Sequence, residues 1–258
     1  MQPVIHELRL ALLALQFLTR VPVPAWVGYR DQWLHQCARH FSLVGVLVGA
    51  VAALVWQAAS WWWPAAIAVL LSMIATLVLT GAFHEDGLAD TFDALGGHVT
   101  RDKALLIMKD SRLGAYGTVA LIAALALKAA SLVALESQAA AALLLAHALS
   151  RALPVALIRW LRYAGDADAA KAKPLSTRVS MGDVSVAVCW ALAVAAALLG
   201  ARLLTATAVL VSLIAAVLTA LAMARWLHRR LGGFTGDTLG ATQQLGELSI
   251  YLALIAAR

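Results

Sequence analysis

Residues 114–135 read GAYGTVALIAALALKAASLVAL. This stretch holds one charged side chain, Lys128, in 22 positions. At 1.5 Å per residue, a helix of that length covers about 33 Å, enough for the hydrocarbon core of a bilayer. Five further stretches are of the same kind: 41–60, 62–83, 138–160, 183–200 and 203–224. A seventh, 239–257, is more polar because it contains Gln243, Gln244 and Glu247. The chain therefore reads as all-α, a polytopic integral membrane bundle of six to seven transmembrane helices. It forms one membrane domain, 1–258, with neither a soluble second domain nor an internal repeat.

Composition agrees with that reading. Of 258 residues, 62% are hydrophobic and 13% charged. A soluble domain carries about a quarter charged residues. The net charge of +6 would suggest nucleic acid in a soluble protein. Here most basic residues fall between the apolar runs, where they set orientation, so no nucleic acid is expected. Cys37 and Cys189 are far apart and read as packing residues, with no disulfide framework.

The two ends of the runs differ. Arg9, Arg20, Arg30 and Arg39 precede the first run, and Arg101, Lys103, Lys109 and Arg112 follow the second. Arg159, Arg162, Lys171, Lys173 and Arg178 follow the fourth, and Arg225, Arg229 and Arg230 end the sixth. The alternate connections, 61–64, 136–137 and 201–202, hold a single basic residue, Arg202. This asymmetry predicts a cytoplasmic N-terminus and cytoplasmic loops at about 84–113, 162–182 and 225–238. The triplet Trp61, Trp62, Trp63 before Pro64 suits a turn at the headgroup boundary. Residues 4–18 are apolar but short, with Glu7 and Arg9 inside and no small-residue cleavage site after them. They read as an interfacial or re-entrant helix rather than a signal peptide.

The chemistry-bearing residues gather in the first long loop, HEDGLADTFDALGG at 84–97. Asp86, Asp90 and Asp93 are spaced four and three apart. At about 100° per residue they fall within about 60° of one another on a helix. Like charges at that spacing repel, so a positive partner is expected. Oxygen donors alone suit a hard cation such as Mg²⁺. His84 and Glu85 lie off the stripe and read as neighbours rather than ligands. A plain solvated acidic face is the simpler alternative, against which stand the apolar residues Leu88, Ala89, Phe92 and Leu95.

Two more elements lie on the same side. In IMKDSRLGAYG at 107–117, Asp110 is either a fourth metal carboxylate or a helix cap. Lys109 and Arg112 either bind phosphate or anchor the next span. In the stretch 231–241, glycines surround Gly236, Asp237 and Thr238, which could close a substrate site at a helix start. An ordinary N-cap is the alternative.

The blocks FLTRVPVP at 17–24, HEDGLADTFDALGG at 84–97, IMKDSRLGAYG at 107–117 and GGFTGDTLGATQQLGEL at 232–248 occur in an order and spacing similar to the cobalamin (5′-phosphate) synthases. The resemblance runs nearly the whole chain. It implies a multi-pass enzyme of the bacterial inner membrane with its active site facing the cytoplasm. Its reaction would join adenosylcobinamide-GDP to α-ribazole or α-ribazole 5′-phosphate, releasing GMP, with Mg²⁺ as cofactor. A ribose hydroxyl would attack the cobinamide-side phosphorus, with Asp93 as the expected proton acceptor. The partners expected are these two substrates and membrane lipid, and an oligomer is compatible with the sequence. The acidic block is also similar to the metal site of CDP-alcohol phosphotransferases, but Leu88-Ala89-Asp90 stands where that motif has Ala-Arg. A phospholipid phosphotransferase and a secondary transporter are the alternatives. The transporter reading rests on Lys128, His147 and Arg151 inside predicted spans.

Overall fold

The computed structural model describes residues 2–165 and 176–258. Lys171, Lys173 and the rest of 166–175, within the expected loop 162–182, lie outside the described residues. Among the described residues the elements are helices: α1 (Gln2–Leu18), α2 (Asp31–Cys37), α3 (Phe41–Ala59), α4 (Ala65–Thr80), α5 (Phe83–Leu95), α6 (Arg101–Met108), α7 (Ala115–Leu135), α8 (Ala139–Ser150), α9 (Ala152–Trp160), α10 (Met181–Gly200), α11 (Ala206–Leu231) and α12 (Gly236–Ala256).

Four described helical stretches are long and apolar enough to cross a membrane: Asp31–Ala59, Ala115–Trp160, Met181–Gly200 and Ala206–Leu231. The pair α4 and α5 makes a fifth if taken together, although the two are bent by 87° at their junction. The figure of six to seven differs from this for two reasons. It divides the 46-residue stretch Ala115–Trp160 into two legs, and it adds the polar α12.

The division into two legs has a geometric basis. Lys128 on α7 and His147 on α8 are 19 positions apart, which in one straight helix would separate them by about 28 Å. Yet Lys128 Nζ lies 3.0 Å and His147 Nδ1 3.6 Å from the carboxylate of the same residue, Glu247. The chain must double back between them. It does so at Glu136, which has φ 49° and ψ −123°.

Helix α12 packs against α5, α7, α8, α9 and α11. It is surrounded by protein rather than lipid, which explains its polar sequence. Gln243, Gln244 and Glu247 are all buried there. Lys128 Nζ donates to Gln244 Oε1 at 3.1 Å, and Gln244 Nε2 donates to Glu85 Oε1 at 2.9 Å. Gln243 Nε2 and the Tyr251 hydroxyl donate to Glu247 at 2.8 and 2.9 Å. Polar groups in an apolar bundle cost little only when satisfied in this way.

The outward surface is apolar, with Leu54, Val78, Val119, Ile122, Leu210 and Leu218 exposed. A soluble monomer rarely shows such a continuous face. Trp61, Trp62 and Trp63 are exposed in the turn between α3 and α4. Helix α1 packs on α2 and α3, and Glu7 pairs with Arg39 at 2.8 Å. Cys37 is buried, as packing requires, but Cys189 is exposed on α10 and packs against nothing that covers it.

The connections of one end are tied to each other. Arg101 donates to the carbonyls of Leu231 and Ala164 at 2.8 and 3.1 Å. Arg230 donates to the carbonyls of Leu95 and Gly97, both at 2.8 Å. Ala164 N donates to Phe234 O, and Phe234 N to Arg162 O, at 2.8 and 2.9 Å. Segments far apart in sequence thus form one platform at the end where α5 lies.

Candidate active site

Helix α5 owes its position to a break in the chain. Gly81 and Ala82 both take left-handed conformations, with φ 68° and 56°, and these turn the chain off the α4 axis. Helix α5 then runs off at 87° to α4 and carries the acidic stripe. Its other face is held by α12. A Cβ added to Gly87 would come within 2.7 Å of Asp237 O, so no larger residue fits there. This close approach brings the first turn of α12 against Asp86.

An open cavity of about 570 Å³ lies beside α5, and Arg20, Glu85, Asp86, Asp90 and Ser111 contribute to its walls. Asp90 holds its proton up to about 7, first because it is half buried and then because Asp86, Asp237 and Asp93 surround it. Asp237 is likewise raised to about 6, by burial, against its own backbone amide, and then by Asp86. The carboxylates therefore press on one another without internal neutralisation. A smaller slot of about 70 Å³, walled by Phe17, Phe41, Phe83 and Phe234, adjoins this cavity. At about 30 Å³ per water it is too small for a substrate.

Asp93 has a different surrounding. Its two carboxylate oxygens accept from Gly114 N and Gly117 N, each at 2.8 Å. It thus caps α7 from outside that helix, a task the sequence offered to Asp110. We predict that Asp93→Asn, which loses one acceptor, lowers stability by about 1–3 kcal/mol. Thermal unfolding of the purified protein measures this, and an unchanged midpoint would argue against the capping role.

The remaining expected residues are spread around the cavity. Asp110 pairs with Arg112 at 2.6 Å, and Arg112 is 85% exposed. Ser111 and Leu113 line the cavity, whereas Lys109, Asp110 and Arg112 do not. Gly236 borders the small slot. Thr238 is fully buried, and its side chain completes a capping box with Thr235 at 2.9 Å. That hydroxyl is spent on the helix start, and neither Gly236 nor Asp237 lines the larger cavity.

Sequence reasoning missed two wall residues. Glu85 was read as pointing away, yet it lines the cavity, and its Oε2 is buried with no hydrogen-bond partner. Arg20 lies more than sixty positions before the acids, and no local pattern links it to them. The buried Lys128–Glu247 pair did leave a signal, because an acid and a base inside apolar runs need each other.

Among the described residues, no three His, Cys, Asp or Glu side chains already form a metal cage. Mg²⁺ rarely uses such a cage. It takes one or two carboxylates and completes its shell with water and substrate phosphate. Uncompensated oxygen donors at Asp86, Asp90 and Asp237 fit that mode of binding.

The profile of the family described as cobalamin-5-phosphate synthase matches residues 10–255. The chain is 56% identical over 262 residues to the adenosylcobinamide-GDP ribazoletransferase of Leptothrix cholodnii, covering 99% of this chain and 98% of that protein. It is 46% identical over 254 residues to the protein of that name from Shewanella amazonensis, covering 97% and 96%. It is 44% identical over 253 residues to that of Vibrio cholerae, covering 97% and 95%. No solved structure matches the chain.

Proposed function

Because the chain belongs to the cobalamin-5-phosphate synthase family, we propose that it is an adenosylcobinamide-GDP ribazoletransferase whose reaction takes place in the acid-walled cavity beside α5. The acceptor is α-ribazole or its 5′-phosphate. The observation that carries this reading is the unneutralised carboxylate cluster of Asp86, Asp90 and Asp237, placed where an anionic diphosphate needs a cation to approach.

The reaction exchanges a phosphoanhydride bond for a phosphate ester bond. The ribose hydroxyl oxygen forms a bond to the cobinamide-side phosphorus, and the bond from that phosphorus to the GMP oxygen breaks. GMP leaves with the electron pair, and the hydroxyl proton must be taken up. Asp90 takes it, because it lines the cavity, whereas Asp93 is engaged by two amides. Asp86 and Asp237 would hold Mg²⁺. When bound, that cation neutralises charge on the diphosphate and on the leaving oxygen. Lys109 and Arg112 lie close in sequence to the cavity wall, but Arg112 is spent on Asp110 and neither lines the cavity, so neither is assigned the donor. The cavity is of ligand size, about 300–1,000 Å³ in general, and takes the diphosphate region while the corrin ring stays outside.

The test is GMP release from adenosylcobinamide-GDP, required to depend on the acceptor. The location in the bacterial inner membrane with the site facing the cytoplasm is part of the same proposal, supported by the distribution of basic residues. In a chain freed of Cys37 and Cys189, Ser137→Cys should react with an impermeant maleimide in intact cells. Thr100→Cys should react only after lysis. Labelling of position 100 from outside would reverse the orientation.

A further inference from the structure

The cavity bears several acids, and its proposed donor is an anion. A bound cation offsets part of that repulsion, but the phosphate oxygens on the far side still need a positive partner. Arg20 lines the cavity too, in the segment that leaves α1. Three features fix it there. Its backbone N donates to Leu79 O at 2.8 Å. The preceding Thr19 is buried, donating to Leu15 O at 2.6 Å and accepting from Val21 N at 3.2 Å. Finally, its guanidinium lies across the bare backbone of Gly81, where an added Cβ would stand 2.5 Å from Arg20 Nε.

Gly81 therefore has two reasons to lack a side chain. It has φ 68°, and it leaves the channel through which Arg20 reaches the cavity. Arg20 shares that wall with Glu85, Asp86 and Asp90, yet no ion pair joins it to any of them among the described residues. By contrast Arg39, Arg112 and Arg230 are committed to carboxylates or carbonyls. An exposed, positioned guanidinium with an uncommitted fork is suited to hold two phosphate oxygens at once.

We infer that Arg20, seated on Gly81, is the phosphate-gripping residue of this cavity and binds the nucleoside-diphosphate end of the donor. The inference rests on the proposed reaction for the donor's identity, but its test does not require turnover. The probe is GDP, added to the purified full-length protein in detergent and followed by equilibrium dialysis. Arg20→Gln should raise the Kd for GDP at least tenfold, and Arg20→Lys severalfold, because a lysine keeps the charge but not the fork. Thermal unfolding checks that each variant is folded, and if Arg20→Gln is not, Arg20→Lys decides. GDP affinity within twofold of wild type in the folded variants overturns the inference, even if GMP release is intact. Loss of GDP binding in a protein whose wild type releases no GMP would instead uphold Arg20 and overturn the proposed reaction.

Discussion

Asp90→Asn is expected to slow GMP release from adenosylcobinamide-GDP by about 10²–10⁴-fold, the usual contribution of a positioned general base. The side chain keeps its size and loses its ability to take a proton. The fold should not suffer, because an ionised Asp90 is disfavoured by burial and by Asp86, Asp237 and Asp93. A raised carboxylate pKa means that the folded protein binds this proton more tightly than the unfolded chain does. Ionisation therefore costs stability as pH rises through about 7. Asn removes that cost, so the variant should unfold at the same temperature as wild type or higher. Binding of Mn²⁺, followed by electron paramagnetic resonance as a stand-in for Mg²⁺, should persist in Asp90→Asn and weaken in Asp86→Asn. Full turnover in Asp90→Asn would remove it from the reaction. Loss of turnover together with loss of the cation would make it a ligand instead.

The second large effect lies inside the bundle. Lys128→Met should destabilise the protein by about 3–5 kcal/mol, the cost of leaving one member of a buried ion pair alone. Lys128 and Glu247 are 3.0 Å apart, with side chains 6% and 1% exposed. Adding Glu247→Gln to Lys128→Met should recover part of that loss, since the pair is then removed as a unit while the buried Arg151 loses its attraction to Glu247. Denaturant titration of the purified protein in micelles would measure both variants. Simple addition of the two single losses would mean that the pair is uncoupled. Through Gln244 the pair is joined by hydrogen bonds to Glu85, which lines the cavity, so it helps to hold α5 against α12.

Much of this architecture could be read from the sequence, and the parts that could not have physical reasons. Apolar length and the spacing of Asp86, Asp90 and Asp93 are local properties, so the helices and the acidic stripe were legible. The 87° turn was not, because Ala82 takes a left-handed conformation that alanine seldom adopts and no residue pattern announces it. The turn decides which acids meet. It brings Glu85 to the cavity wall and allows Asp237, 150 positions away, to lie against Gly87. The task of Asp93 was hidden for a similar reason. Its partners are the backbone amides of Gly114 and Gly117, which carry no side-chain signal. Thr238 looked available because a capping hydroxyl and a binding hydroxyl share one sequence pattern. Arg20 belonged to a block noticed only for its family resemblance, and its position over Gly81 depends on the segment after α1 meeting the end of α4.

The most direct test of the account is a time course of GMP release by the purified protein in lipid vesicles, given adenosylcobinamide-GDP with and without α-ribazole, and with Mg²⁺ or a chelator. The account predicts that GMP appears in equal amount with the joined corrinoid, and only when acceptor and divalent cation are both present. Equal GMP release in the chelator, or none with every component supplied, would contradict it.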